Sequence, residues 1–262
     1  MIVLKTKAEV DKIRQGGKIL ASILDKIIAE VKPGAETGQL EEMARMLIRN
    51  AGGRPSFKGY ASGKNHNAFP TALCTSINDE VVHSPALPSR ILKNGDIIGI
   101  DVGMEYPFKR GEIGYFTDMA VTAGVGKISG EAQKLLRVTK ESLDLAIKSA
   151  RPGGNLNDIA GAVQRHAEKN GFSVVRDLVG HGVGKDVHEE PQVPNFIVPK
   201  NNDIILKTGL VIAIEPMVNA GAPDIKSGED GFTVMTADGS LSAHFEHTVA
   251  VTEEGVEVLT KL

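Results

Sequence analysis

The sequence has no tryptophan and a single cysteine, Cys74. No internal disulfide can form, which fits a reducing compartment. Strong charge of either sign is also missing: 30 Lys and Arg stand against 33 Asp and Glu, a formal net charge of -3. That balance gives no reason to expect nucleic acid or a membrane surface as a partner. No apolar run reaches the ~18 residues a membrane helix needs. The start, Met1-Ile2-Val3-Leu4-Lys5, is too short and too soon charged for a signal peptide. A cytoplasmic protein is therefore expected. Nothing resembling a linker, a low-complexity segment or a charge run divides the chain, so residues 1–262 read as one domain. The HExxH motif of zinc peptidases is absent, because His188 is followed by Glu189, Glu190, Pro191 and Gln192. Gly124–Ser129 lacks the full spacing of a phosphate loop and reads as a turn before a helix.

What is present is a repeat. Thr6-Lys7-Ala8-Glu9 has the form of a capping box, and Val10, Ile13, Leu20, Ile23, Leu24 and Ile27 follow at helical spacing. Pro33-Gly34 ends that helix, and a second runs from about Thr37 to Asn50 before Gly52-Gly53. The arrangement returns from Ser129 to Ile147, stops at Pro152-Gly153, and resumes to Asn170-Gly171. Leu24, Asp25, Ile28, Pro33, Gly34 and Gly52 recur at one constant offset as Leu143, Asp144, Ile147, Pro152, Gly153 and Gly171. This is a duplicated helix pair. The strands repeat as well: the run from Leu92 to Asp101 aligns with that from Leu206 to Glu215, each a turn and an apolar strand closed by a carboxylate. Phe116–Val121 resembles Phe245–Val249 more loosely. The expected fold class is α+β, with two similar halves, about 1–125 and 126–262, each a helix pair with antiparallel strands. Met104–Tyr115 reads as a surface hairpin loop.

The repeat places two acids in each half, Asp101 and Asp118, then Glu215 and Glu246. One acid closing an apolar strand is most simply a salt bridge or a cap. Four equivalent acids gathered in one place require a cation or shared protons, because burying an unpaired carboxylate costs several kcal/mol. The stretch Gly180-His181-Gly182-Val183-Gly184 to His188 adds two histidines at a glycine-rich bend, and Val174, Val175, Leu178 and Val179 before it predict an incoming strand. Four carboxylates and one imidazole suit two divalent ions, and such pairs, ~3.5–4 Å apart, are recurring hydrolytic centres. Mostly oxygen ligands favour Mn, Fe(II) or Co, with Zn still among the candidates. His66 and His166 take surface or helix-face roles by default; His244 and His247 flank Glu246 and are candidate supporting groups. Cys74 sits in Ala72–Ile77, which reads as a buried strand.

The stretches Asn78–His83, Gly95–Val102, Gly180–Gly184 with His188–Pro191, Ile214–Met217 and Ser240–Thr248 together resemble the type I methionine aminopeptidases of the short bacterial kind, spread over most of the chain. The resemblance implies a pita-bread fold and two divalent ions (Co2+, Mn2+, Fe2+ or Zn2+) held by Asp101, Asp118, His181, Glu215 and Glu246, with Asp118 and Glu246 bridging. It implies removal of the initiator methionine from nascent polypeptides when the next residue is small, a metal-bridged hydroxide attacking the first peptide carbonyl. His83, His188 and Glu215 are the implied catalytic groups. His83, His188, Phe69, Cys74, Val187 and Phe232 are the implied substrate contacts, with His66 beside them. A monomer is expected, and ribosome contact follows from the role alone. Four departures stand out: Ser84 where glycine is common after His83, about half a dozen extra residues between Asp101 and Asp118, Val187 and Phe232 in place of larger aromatics, and no zinc-binding extension before the first helix. A proline-directed peptidase and an inactive relative that binds protein or RNA are the competing readings; the completeness of the five ligands weighs against the second.

Overall fold

A computed structural model describes residues 1–61, 67–200 and 204–261. Its four helices are α1 (Lys7–Ile28), α2 (Thr37–Asn50), α3 (Gly130–Ser149) and α4 (Leu156–Lys169). In chain order its strands are β1 (Arg54–Pro55), β2 (Leu73–Ile77), β3 (Glu80–Val82), β4 (Ile97–Tyr106), β5 (Tyr115–Gly124), β6 (Ser173–Val174), β7 (Gly180–Gly182), β8 (Glu189–Val193), β9 (Val211–Ile214), β10 (Met217–Asn219), β11 (Ile225–Ser227), β12 (Val234–Thr236), β13 (Ser242–His244), β14 (Glu246–Thr252) and β15 (Gly255–Val258). Local chemistry sets the helix starts. Thr6 and Glu9 close a reciprocal capping box on α1, Ser129 caps α3, and Asn155 with Asp158 caps α4.

Nine strands form one curled antiparallel sheet in the order β1-β4-β5-β14-β9-β7-β8, with β2 on β4 and β15 on β14. Two three-stranded sheets, β13-β10-β6 and β11-β12-β3, flank it. The long sheet crosses from the first half to the second where β5 pairs β14. Each half buries its own helix pair against it. Leu20, Leu24, Ile27 and Ile48 pack on Ile98, Ile100, Val102 and Met104 of β4. Leu135, Val138, Ile159 and Val163 pack on Ile212, Ile214 and Val249. A fully buried aliphatic side chain of this kind contributes ~1.5–3 kcal/mol, so these two faces dominate the stability of the halves.

The duplication is visible in the backbone. Gly34 and Gly153 take φ of 88° and 79°, and Gly52 and Gly171 take 81° and 82°, left-handed conformations that explain why the repeated residue is glycine each time. The Gly34 N–H bonds Leu92 O at 2.8 Å and the Gly153 N–H bonds Leu206 O at 2.9 Å. The bridges Glu36–Ile91 and Asn155–Ile205 match in the same way.

Three details differ from the sequence reading. β4 does not end at Asp101 but runs on to Tyr106, paired residue by residue with β5 from Ile97–Gly124 to Tyr106–Tyr115. Met104 is consequently a fully buried core residue, and the loop is confined to 107–114. The extra residues between Asp101 and Asp118 thus lengthen the far end of the hairpin and leave Asp118 in ladder register. The third difference is the approach to His181: Val175 to Val179 is not strand, and the strand is Gly180–Gly182 itself. Val175 and Leu178 are held instead by apolar packing on Val81, Val82 and Met217.

Candidate metal centre and active site

Side chains alternate between the faces of a strand, and this settles where the acids go. On β4, Ile98, Ile100, Val102 and Met104 face the α1–α2 layer, so Asp101 projects to the other side between Gly99 and Gly103. On β5, Met119 and Val121 face the helices and Asp118 does not. On β14, Val249 and Val251 face α3 and α4, which puts Glu246 on the open side. Glu215 immediately follows β9, one residue past Ile214. Four successive strands therefore bring one carboxylate each to the same face, and β7 adds His181. Glycine is required beside that histidine: a Cβ on Gly182 would lie 2.2 Å from Glu190 O, and one on Gly180 would lie 2.5 Å from Ala213 O.

Sequence reading missed the spacers. Gly103 stands opposite Asp118 in register, and Ala120 stands opposite both Asp101 and Glu246. A small residue at the centre of the carboxylates keeps space open between them. Strand pairing reveals this; the linear sequence does not.

All five expected ligands line one cavity of about 940 Å³. Ligand atoms of Asp118, His181 and Glu246 lie within 4.8 Å of one another. His181 Nε2 is 4.0 Å from Asp118 Oδ2 and 3.6 Å from Glu215 Oε1. The His181 Nδ1 lies 2.9 Å from Gly182 O, which makes Nδ1 the protonated nitrogen and aims the Nε2 lone pair into the cluster. Asp101 Oδ1, Asp118 Oδ1 and Glu246 Oε1 are buried with no hydrogen-bond partner among the described residues. Burial pushes the Asp101 carboxyl up to about 6, with Glu215 adding to it against His244. Burial, then Asp101 and Glu215, drive Asp118 well above the usual carboxylate range. Burial, then Asp118, Glu215 and Asp101, do the same to Glu246. Burial acts on Glu215 in that direction too, but the close His244 imidazole, with Nε2 3.4 Å from Glu215 Oε2, and the fields of His181 and His83 outweigh it and hold Glu215 below its ordinary value. Buried, mutually repelling, unpartnered carboxylate oxygens around an imidazole lone pair are a donor set that fits divalent cations.

His83 and His188 stand over this floor. His83 takes φ 61°, a left-handed conformation that costs a non-glycine residue ~1–3 kcal/mol. Cys74 stands opposite Asp101 in the β2–β4 ladder, and burial, then Asp101 and Asp118, push its thiol well above the usual range. Desolvation by the cavity walls, then the neighbouring His181, lower the His188 imidazole to about 4, although part of the side chain remains open to solvent. His188 also packs on His181 at 4.4 Å between ring centroids and on Tyr60 at 4.9 Å. Tyr60 went unnoticed in the sequence, where a lone tyrosine in a loop carries no signal. Beside the histidines, Phe69, Cys74 and Phe232 line the cavity. Val187 is buried in the same apolar cluster, one layer behind the wall. His66 lies outside the described residues.

The supporting histidines separate. His244 Nε2 is 3.4 Å from Glu215 Oε2 and so supports that acid rather than Glu246. His247 does not support the site at all: alternation turns it to the helix side of β14, where its Nδ1 lies 3.0 Å from Thr260 Oγ1.

Comparison with known proteins agrees with this geometry. A methionine aminopeptidase of Bacillus subtilis is 45% identical over 263 residues, spanning 100% of both chains. The crystal structure of a methionine aminopeptidase from Thermotoga maritima superposes with a TM-score of 0.91 at 40% identity, covering 100% of each chain. A prolidase from Pyrococcus horikoshii, 20% identical, shares the fold with a TM-score of 0.75 over 100% of this chain and 64% of its own. The fold is the pita-bread fold of these proteins. The sequence profile of metallopeptidase family M24 matches residues 11–253, and the chain is a member of that family.

Proposed function

We propose that this protein is a metal-dependent aminopeptidase that removes the N-terminal methionine of polypeptides. The observation that carries the reading is the convergence of four carboxylates and the His181 lone pair on one cavity floor, with three buried carboxylate oxygens unpartnered. Asp101, Asp118, His181, Glu215 and Glu246 would hold two divalent ions, of Co2+, Mn2+, Fe2+ or Zn2+; Asp118 and Glu246 stand on the two inner strands of the four. When bound, such ions supply Lewis acidity, a site for the substrate's free amine and a water acidified to near-neutral pKa.

The chain's own groups do the rest. The apolar cluster of Phe57, Phe69, Cys74, Val187 and Phe232 receives the methionine side chain; Phe232 stands edge-on to Phe69 at 5.6 Å. Neutral His188 donates a hydrogen bond to the scissile carbonyl oxygen and stabilises the charge that develops there. His83 faces the scissile amide nitrogen. Glu215, kept ionised by His244 and His181, accepts the proton released when water attacks. A small second residue is preferred on this reading, since His83, His188 and Tyr60 line the same cavity and Tyr60 packs on His188 at 4.9 Å. We further read the chain as a single domain, since one continuous sheet spans both halves; a monomer acting in the cytoplasm on nascent chains at the ribosome follows from the proposed role alone.

The test is reconstitution of metal-free protein with each ion, assayed on Met-Ala-Ser, Met-Lys-Ser and Ala-Pro peptides. Methionine release that needs metal and a small second residue is expected. Cleavage confined to the Xaa-Pro peptide, or no cleavage with any ion, overturns the proposal.

A further inference from the structure

His83 holds an unfavourable left-handed backbone conformation on the short connection that follows β3. Something outside the metal centre must fix it. The guanidinium of Arg90 is the group that gathers every segment around it. Arg90 Nη1 donates to Glu80 Oε1 at 2.7 Å and Oε2 at 2.8 Å, at the start of β3. Arg90 Nη2 reaches Thr75 O at 2.5 Å, Thr75 Oγ1 at 3.1 Å, Ser84 Oγ at 3.1 Å and Pro85 O at 3.4 Å. These acceptors bracket His83 on both sides in sequence and tie it to β2, which in turn is tied to it by the Thr75 N–H on Ser84 O at 2.7 Å. Arg90 is itself anchored: its N–H donates to Thr37 Oγ1 at 2.9 Å, and the Thr37 N–H donates to Arg90 O at 2.9 Å, at the first residue of α2. A planar fork with fixed donors can hold two segments at a set spacing, as a lysine cannot.

We propose that Arg90 is the positioning residue for His83, and that the Ser84 hydroxyl is the direct tie between them. Arg90 touches neither the metal-ligand cluster nor the cavity; it acts through the His83 connection. Small misplacement of a group that contacts the reacting atoms is worth about 10²-fold in rate. The inference rests on His83 as a substrate-facing group, so its test keeps the two apart.

Arg90→Met, Arg90→Lys and Ser84→Ala are made in the full chain, alone and combined with His83→Ala, loaded with Mn2+ and assayed on Met-Ala-Ser for kcat, KM and bound metal. Arg90→Met is expected to lower kcat about 10²-fold with bound metal and KM little changed. Arg90→Lys keeps only the Glu80 pairing and stays nearly as slow. Ser84→Ala loses one hydrogen bond and about five- to tenfold in kcat. None of the three slows the His83→Ala enzyme further. Equal losses on both backgrounds, or metal loss matching the loss of rate, mean that Arg90 serves only general structure and overturn the inference alone. Normal turnover by His83→Ala overturns the reading of His83, and the inference with it. If Arg90→Met does not fold, Ser84→Ala decides. If the double variants are too slow to time, the imidazole resonance of His83 decides: it shifts in Ser84→Ala while that of His166 on α4 stays, or the inference fails.

Discussion

The two halves of the molecule share a scaffold and differ in chemistry. Their helix pairs, turn glycines and bridges superimpose in sequence and conformation. Each half sends two acids to one face of a common sheet. Yet His181, His188, His244 and His247 all belong to the second half, and among the described residues the first supplies only His83. The electrostatics follow. Glu215, surrounded by imidazoles, is held below its ordinary range, whereas Asp101 and Asp118 are pushed above theirs. The repeat therefore accounts for the positions of the acids, and the histidines of the second half for the electrostatic difference between them.

The comparison breaks first at the centre. Asp118→Ala and Glu246→Ala remove one central acid from each half, and each is expected to lower kcat/KM about 10³-fold or more and to reduce bound metal, since a direct contribution to transition-state charge is lost. Metal analysis and peptide kinetics on both variants check it. Full activity in either one would mean that the halves do not share the ions.

The histidines sharpen it. His181→Ala is expected to lose metal and at least about 10²-fold in rate, the scale seen when the support of a metal ligand is removed. His83→Ala is expected to lose about as much rate while keeping its metal. Equal metal loss in both would erase the proposed distinction between a ligand histidine in the second half and a substrate histidine in the first. A smaller effect tests the seam between the halves. Ala120→Leu fills the space between Asp101 and Glu246, and overpacking of ~1–3 kcal/mol should weaken metal binding roughly 10- to 100-fold. Metal titration followed by calorimetry would show it, and unchanged affinity would place the ions elsewhere in the cavity.

How much of this was legible beforehand depends on distance along the chain. The starts of α1 and α3 could be read because caps and first-turn acids act within four residues. The four acids could be placed because the repeat put them in equivalent slots, and His181 because its glycine-rich motif marked it; all five line one cavity. Strand limits could not. Whether β4 stops at Asp101 or runs to Tyr106 depends on its pairing with β5, and an apolar run such as Val174–Val179 reports burial without reporting direction. The face taken by His247, the spacer role of Ala120 and the grip of Arg90 on the His83 connection are equally non-local. Each is set by a partner strand or loop that the sequence leaves unnamed.

The smallest effect lies farthest from the chemistry, at the start of the second helix in each pair. Asn155 caps α4 directly: its Oδ1 accepts the Asn157 N–H at 2.9 Å, and its own N–H is accepted by Asp158 Oδ2 at 3.0 Å. The equivalent Glu36 makes no such bond to α2. There the Gly38 N–H is satisfied from outside, by Ser89 Oγ at 3.1 Å. The same orphan donor is thus met locally in one half and by a distant loop in the other. Asn155→Ala should lower unfolding free energy by ~1 kcal/mol, the usual worth of an N-cap. Glu36→Ala should change it by ~0.5 kcal/mol or less, since the half-buried Glu36 reaches the cap only through Ser89, whose hydroxyl donates to Glu36 Oε2 at 3.2 Å, and the Gly38 N–H keeps its partner. Ser89→Ala should recover the penalty in the first half, at ~0.5–1.5 kcal/mol for one lost hydrogen bond. Urea midpoints at constant slope measure all three. A Glu36→Ala penalty as large as that of Asn155→Ala would show that the two helices are capped alike, and that the halves diverge in their acids and histidines but not in how their helices begin.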